Sequence, residues 1–391
     1  MSNMIKILYV TTVSSTINAF LKPHIQYLVG QGYVVDIATN VTDEVDEELL
    51  GVGVKVFSVA FQRNPVSLKN LDACRQMRII QENERYDMVH VHTPIASFVT
   101  RYALRKEKNL KVLYTCHGFH FYRGGPSISW LLFYPAEKLA ARWTDGLITI
   151  NSEDYAVARN FKLRAGGKIC KIDGVGIEKE KYVLECFDKS GYREELGLGD
   201  DDFVILVLAE LNRNKNHIQL IRAMSLLKDR YPDIKAILAG GGPLEAEIKG
   251  NIKTLGLESK VMLIGWRRDV KELINLSDVV GLFSKREGLG KCLLEAMVCG
   301  KFIMATNTRG PRELIKEGVN GVLFDVDDVE ATVESIERVY VNSLFDMVSE
   351  EEIVEVTNKY LLENVLAQLR SVYEGLCIES DIDTHDGMCR K

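Results

Sequence analysis

Short apolar runs rich in Val and Ile, each followed by a longer amphipathic stretch, recur along most of this chain, and few folds accommodate that rhythm. Residues 5–11, 34–39, 54–59, 88–92, 112–115, 146–149 and 169–172 have the length and β-branched character of strands, while 18–29, 67–84 and 152–161 have helical periodicity. Strands that alternate with helices of this length build a parallel sheet covered on both faces. The rhythm stops over 173–202, a stretch rich in Gly, Asp, Glu and Lys, and resumes with strand-like runs at 204–209, 235–239, 261–264, 279–283, 302–306 and 321–324. At 391 residues the chain is longer than one hydrophobic core usually supports. The expectation is therefore an α/β protein of two Rossmann-like domains, 1–175 and 203–345, joined by a linker over 176–202. Helices over 346–375 are expected to return toward the first domain, ahead of a disordered tail over 376–391.

Composition excludes several classes. Hydrophobic residues make up 46% of the chain and charged residues 27%, the balance of a folded soluble protein. No run reaches the eighteen or so consecutive apolar residues of a membrane span. The first residues lead directly into a strand-like segment without the pattern of a secretory signal. The eight cysteines, at positions 74, 116, 170, 186, 292, 299, 377 and 389, form no CxxC pair, which suits a reducing cytoplasm. The net charge of -6 conceals an asymmetry: the first 180 residues carry 22 Lys/Arg against 18 Asp/Glu, the remainder 27 against 37. In the basic half, Arg101, Arg105, Lys106, Lys108 and Lys111 cluster, and Gly124 to Tyr134 is aromatic and aliphatic with Arg123 and Lys138 at its flanks. Segments 101–111 and 127–134 are read as a peripheral contact with the inner face of the cell membrane; a solvated helix face and core burial remain the alternatives. No nucleic-acid partner is expected.

In a parallel sheet ligands bind beyond the carboxyl ends of the strands, so the residues just after strands are the informative ones. After the 279–283 run comes Ser284-Lys-Arg-Glu287-Gly288-Leu289-Gly290-Lys291-Cys-Leu-Leu-Glu295. A helix starting near Gly290 would turn its unpaired amides toward an anion, with glycines allowing close approach. One glutamate could then hold sugar hydroxyls and the other ribose hydroxyls, with a diphosphate between. After the 204–209 run comes Glu210-Leu-Asn-Arg213-Asn-Lys215-Asn-His217, whose two cations suit a leaving diphosphate. Gly241, in Gly240-Gly-Gly-Pro243, follows the next strand. In the first half His117 follows a strand, near His90, His92 and His120. A zinc site is one reading of these imidazoles; the preferred one has His117 donating a hydrogen bond to a sugar or an acceptor.

With these residues assembled, the chain resembles the retaining glycosyltransferases of family four over nearly its whole length, to about Tyr373, and Glu287-x7-Glu295 is the most specific part of the match. The resemblance implies the GT-B fold, two Rossmann-like domains facing across a cleft. It implies catalytic roles for Glu287, His117 and Lys215, and donor contacts from Arg213, Lys215, Gly241, Glu295 and the turn Gly288-Leu289-Gly290-Lys291. Thr115-Cys-His-Gly-Phe-His-Phe-Tyr and Glu153-Asp-Tyr155 look most like enzymes of capsular, exopolysaccharide or lipid-linked glycan synthesis. Such enzymes move a hexosyl or N-acetylhexosaminyl group, commonly from a UDP-sugar, to a glycan or polyprenyl-diphosphate acceptor without a metal or other cofactor. Glu210 stands where many members have arginine, and Thr11 to Thr16 where many have a glycine pair. Alternatives within the same architecture are a nucleotide-sugar 2-epimerase and a non-catalytic partner subunit; no GxGxxG supports a dinucleotide oxidoreductase.

Overall fold

The computed structural model describes residues 4–347 and 349–385. The chain divides into two compact units, Met1–Gly176 together with Glu363–Lys391, and Ile177–Leu362. Each of the thirteen segments expected to be strands forms one, with ends within two residues of expectation.

In the first unit β1 (Lys6–Val13), β2 (Val34–Asn40), β3 (Val56–Ser58), β4 (Met88–Val91), β5 (Lys111–Cys116), β6 (Gly146–Thr149) and β7 (Lys168–Lys171) form one parallel sheet in the order β3-β2-β1-β4-β5-β6-β7. The chain first steps outward from β1 to β3, then returns to the other side of β1, so the order reverses between β1 and β4. The helices Lys69–Glu84, Pro94–Ala103 and Ser127–Ala141 pack side by side, as right-handed crossovers would place them. Leu8, Val10, Val89, Val91, Val112 and Tyr114 pack beneath that layer. Their strand neighbours Tyr9 and His90 point to the opposite face, where Tyr373 of the C-terminal helix (Leu362–His385) meets them: its hydroxyl lies 3.0 Å from that of Tyr9 and 2.6 Å from His90 Nδ1.

The second unit repeats the plan with β8 (Phe203–Leu208), β9 (Ile234–Ala239), β10 (Val261–Gly265), β11 (Val279–Leu282), β12 (Phe302–Thr306) and β13 (Gly321–Phe324), all parallel in the order β10-β9-β8-β11-β12-β13. Its reversal falls between β8 and β11. Ile205, Val207, Leu238, Phe283 and Met304 belong to its core.

Several expectations are revised. The stretch 177–202 belongs to the second unit and carries a helix, Lys189–Glu195, capped by the Asp188 side chain on the Gly191 amide. Its charges find partners: Lys189 pairs with Asp278 at 3.0 Å, and Arg193 is buried 3.8 Å from the same carboxylate. Within the helical stretch expected over 346–375, the chain breaks into Glu350–Thr357, a 3-10 turn Asn358–Tyr360, and the C-terminal helix. The cause is a backbone bridge: the Ile177 amide donates to the Tyr360 carbonyl, and the Leu362 amide to the Ile177 carbonyl, while buried Tyr360 donates its hydroxyl to the Glu313 carbonyl. The expected tail is helical to His385, and 386–391 lie outside the described residues.

Arg101 also leaves the surface cluster to which it was assigned. It is 1% exposed, paired with Glu137 at 2.8 Å and seated over the Tyr114 ring. Breaking a buried pair by removing one partner strands the other charge and costs about 3–5 kcal/mol. Glu137→Ala should therefore lower the unfolding transition of the first unit markedly, whereas Arg101→Leu with Glu137→Leu should recover much of the loss. Thermal unfolding of the wild type and the two variants checks this.

Candidate active site

The reversal between β8 and β11 sets two loops side by side at the carboxyl edge of the second sheet. Backbone bonds tie them: the Lys285 amide donates to the Asn214 carbonyl at 2.7 Å, and Asn214 Nδ2 to the Arg286 carbonyl at 3.0 Å. Asn212 braces the first loop by accepting from the Lys215 amide. So held, Lys215 Nζ lies 2.5 Å from Glu287 Oε1. Burial alone would push the Lys215 ammonium down; the Glu287 carboxylate, with smaller help from Cys292 and Glu210, outweighs it and leaves the pKa above the ordinary lysine value. Arg213, on the same loop, is exposed. The structure thus brings Lys215 and Glu287 into contact, while Arg213 stands on the same loop without a hydrogen bond or ion pair to either.

The turn after Glu287 runs into the helix Lys291–Val298, whose N-cap, Gly290, has a φ of 103° and no side chain to cover the first amides. Left-handed backbone of this kind favours glycine. From the next strand end, Arg309 Nε donates to the Glu287 carbonyl at 3.1 Å, and Gly310 lies so close that an added Cβ would sit 2.6 Å from Leu289 Cα. Arg309 and Gly310 escaped sequence reading; their place just after β12 was the available signal. Glu295, on the helix, is 9% exposed, accepts from the Tyr182 hydroxyl at 2.7 Å and lies 3.6 Å from Lys291 Nζ. Burial raises its carboxyl above the usual glutamate range, against the pull of Lys291 and Tyr182. Tyr182 lies in the stretch expected to be linker, which is why it was missed. Between the charged groups, the Cys292 thiol is pushed up to about 12 by burial and feels Lys215, Glu295 and Glu287 together.

On the other side of β8 a cavity of about 340 Å³ opens at the ends of β8, β9 and β10. Gly240, Gly241, Glu210, Trp266 and Arg267 are among its lining. Gly241 is therefore placed here rather than against Glu287. An added Cβ on Gly240 would collide with the Ala209 carbonyl at 2.0 Å, so the glycine lets the β9 end close on the β8 end. Glu210 is exposed and accepts from Asn212 Nδ2 at 3.0 Å. Trp266 is 70% exposed with Arg268 over its ring, and Arg267 is clamped by Asp269 and Tyr192. Neither Trp266 nor Arg267 was singled out by sequence, although both follow a strand.

His117 belongs to the first unit, just after β5. It is half-buried, its Nε2 lies 3.2 Å from His92 Nδ1, and burial lowers its pKa to about 4. His90 uses both ring nitrogens, on Tyr373 and Thr115, and His24 Nε2 lies 2.6 Å from the Val175 carbonyl. His120 packs against Phe133 instead, the rings tilted by 37°. Among the described residues no three His, Cys, Asp or Glu are grouped to hold a metal ion.

Two Rossmann-like parallel sheets, the second with a cation, a carboxylate and a glycine turn at its reversal, define the GT-B class. Residues 6–151 match the family described as Glycosyl transferase 4-like, and 188–353 the one described as Glycosyl transferases group 1. EpsD of Bacillus subtilis (strain 168), named as a glycosyltransferase, is 39% identical over 341 residues, covering 86% of this chain and 87% of that protein. The UDP-Gal:alpha-D-GlcNAc-diphosphoundecaprenol alpha-1,3-galactosyltransferase of Escherichia coli is 26% identical over 85% of both chains. The crystal structure of Anabaena HepE with UDP and glucose superposes with a TM-score of 0.78 at 21% identity, covering 95% of this chain and 99% of that one, which establishes the fold. The chain belongs to the group 1 glycosyltransferases, of the family-four type.

The charge balance at the Lys215–Glu287 pair is open to direct test. With Glu287→Gln the largest upward influence on Lys215 disappears and burial dominates, so its pKa should drop from above to below that of an ordinary lysine. Titration of ¹³C-methylated lysines by NMR reads the change, and an unmoved Lys215 signal would count against the pairing.

Proposed function

We propose that this protein transfers a hexosyl or N-acetylhexosaminyl group from a UDP-sugar to a glycan or polyprenyl-diphosphate-linked acceptor, with retention at the anomeric carbon, in polysaccharide or lipid-linked glycan synthesis. The observation that carries the reading is Lys215 resting on Glu287 at the β8/β11 reversal, beside a glycine turn that opens a helix. An arriving diphosphate competes for the ammonium, and Glu287 is then released to accept from sugar hydroxyls. Arg213, Lys215 and the Gly288 to Lys291 turn receive the charge that grows as the glycosidic bond breaks. The departing phosphate oxygen takes the proton of the incoming hydroxyl, so attack comes from the leaving group's own face and no covalent intermediate forms. Glu295 accepts from ribose hydroxyls, the base occupies the cavity under Trp266, and His117 donates to the transferred sugar. UDP as the nucleotide is supported by the UDP and glucose bound to HepE and by the UDP-Gal and diphosphoundecaprenol in the Escherichia coli relative's name.

Incubation with a panel of UDP- and GDP-sugars, with and without lipid-linked acceptors, followed by mass spectrometry, tests the reading. A glycosylated acceptor is expected. Acceptor-free conversion of UDP-GlcNAc would indicate an epimerase instead, and no nucleotide binding a non-catalytic subunit. Lys215→Ala should lower turnover by about 2–4 kcal/mol of transition-state stabilisation, roughly 30- to 1000-fold, in a chain that still folds by circular dichroism; near-normal turnover overturns the assignment.

The acceptor chemistry goes with a membrane-facing surface at the cytoplasmic side, proposed over 127–134 and the 101–111 segment without the buried Arg101. No described helix is long and apolar enough to cross a membrane. The Ser127–Ala141 helix instead exposes Ile128, Leu131, Leu132 and Leu139, with Arg123, Lys138 and Arg142 also exposed. Trp130 is turned inward and donates its Nε1–H to the Tyr122 carbonyl. Lys106 and Lys108 lie exposed after the neighbouring Pro94–Ala103 helix. Apolar side chains rimmed by cations suit an anionic bilayer. The full chain should float with phosphatidylglycerol vesicles and much less with phosphatidylcholine, and Leu131→Ser with Leu132→Ser should abolish flotation. Equal flotation of that variant removes the proposal.

A further inference from the structure

The pair His92–His117 holds a choice about one hydrogen atom. His92 Nδ1 and His117 Nε2 are 3.2 Å apart, and burial holds both imidazoles below the ordinary histidine pKa, so at neutral pH each carries a single ring proton. One nitrogen of the contact must donate and the other accept. His92 is fixed in place: its ring stacks on Tyr9 at 4.9 Å and lies 4.0 Å from that of His90. His90 has no nitrogen to spare, with Nδ1 2.6 Å from the Tyr373 hydroxyl and Nε2 2.7 Å from Thr115 Oγ1.

The far nitrogen of His92 settles the direction. His92 is 2% exposed, and its Nε2 is buried without a hydrogen-bond partner among the described residues. A buried N–H without an acceptor is rarer than a buried acceptor left under-satisfied. A proton on Nε2 would create such an orphan donor; a proton on Nδ1 donates to His117 and leaves only a lone pair unmet. His117 Nε2 then accepts, and the His117 proton must sit on Nδ1.

We propose that His92 locks His117 in its Nδ1–H tautomer, so that the ring edge left for ligand is a hydrogen-bond donor. His92 is in this sense a positioning residue acting through His117. The consequence for catalysis rests on the reading of His117 as a sugar contact; the tautomer does not. A donor at Nδ1 suits a sugar hydroxyl or ring oxygen with a lone pair to offer, and disfavours His117 as a base toward the acceptor.

Long-range ¹H–¹⁵N correlation spectra of the full chain labelled with [¹⁵N]histidine read the tautomer without any substrate, the His117 signals being identified by their loss in His117→Gln. An Nδ1–H form is expected in the wild type. His92→Asn, whose amide nitrogen can take the place of ring Nδ1, should keep that form and stay within about threefold of wild-type kcat. His92→Leu should release His117 into a mixture of tautomers and lower kcat about tenfold, the effect of one hydrogen bond, with donor KM changed less than twofold. An Nε2–H form of His117 in the wild type overturns the proposal, and so does an unaltered His117 spectrum in His92→Leu. Should His92→Leu fail to fold, the wild-type spectrum alone decides. A wild-type Nδ1–H form in a protein that turns over no nucleotide-sugar upholds the tautomer and sinks the transferase reading instead.

Discussion

Reversal of strand order in a parallel sheet is the constraint on which the rest of this molecule depends. Parallel strands send every following loop to one edge, and a reversal leaves two adjacent loops with no helix closing over them. In the second unit the loops after β8 and β11 are those two, and they carry Lys215 and Glu287. In the first unit the strands at the reversal are β1 and β4, and they bring Tyr9, His90 and His92 together, with His117 at the end of the next strand.

Charge in the second unit is arranged so that little of it is lost to burial before a ligand arrives. Lys215 stays charged because Glu287 outweighs its burial. Glu295 pays more: it sits under Tyr182 with Lys291 only 3.6 Å away, and its carboxyl is held above the usual range. A buried carboxylate of raised pKa lowers stability at neutral pH, because the folded chain would rather keep the proton. In the first unit the imidazoles are neutral, and what matters is which nitrogen carries hydrogen.

Much of this was legible in the residues. The thirteen strands follow from β-branched runs between turn-forming residues, because a strand buried on both faces has few ways to be written. The loops after β8 and β11 could be singled out because glycine next to a helix start and cations after a strand have a local meaning. What escaped has no local meaning. Tyr182 looks like any linker tyrosine until it meets a carboxylate more than a hundred residues away. Arg101 looks like one more cation of a basic cluster until Glu137 and Tyr114 enclose it. The break at Tyr360 comes from a backbone bridge to Ile177, which helical periodicity cannot foresee.

By itself, the order of residues determined the two α/β units, the strands and the family, because periodicity, turn chemistry and the Glu287-x7-Glu295 spacing are properties of neighbours along the chain. Tertiary structure alone decided that Lys215 lies on Glu287, that Gly241 lines a separate cavity with Trp266, and that His92 rather than His90 reaches His117. Those outcomes depend on which strands become adjacent and on which buried polar atoms are left to satisfy one another, and both are settled only when distant parts of the chain compete for the same few partners.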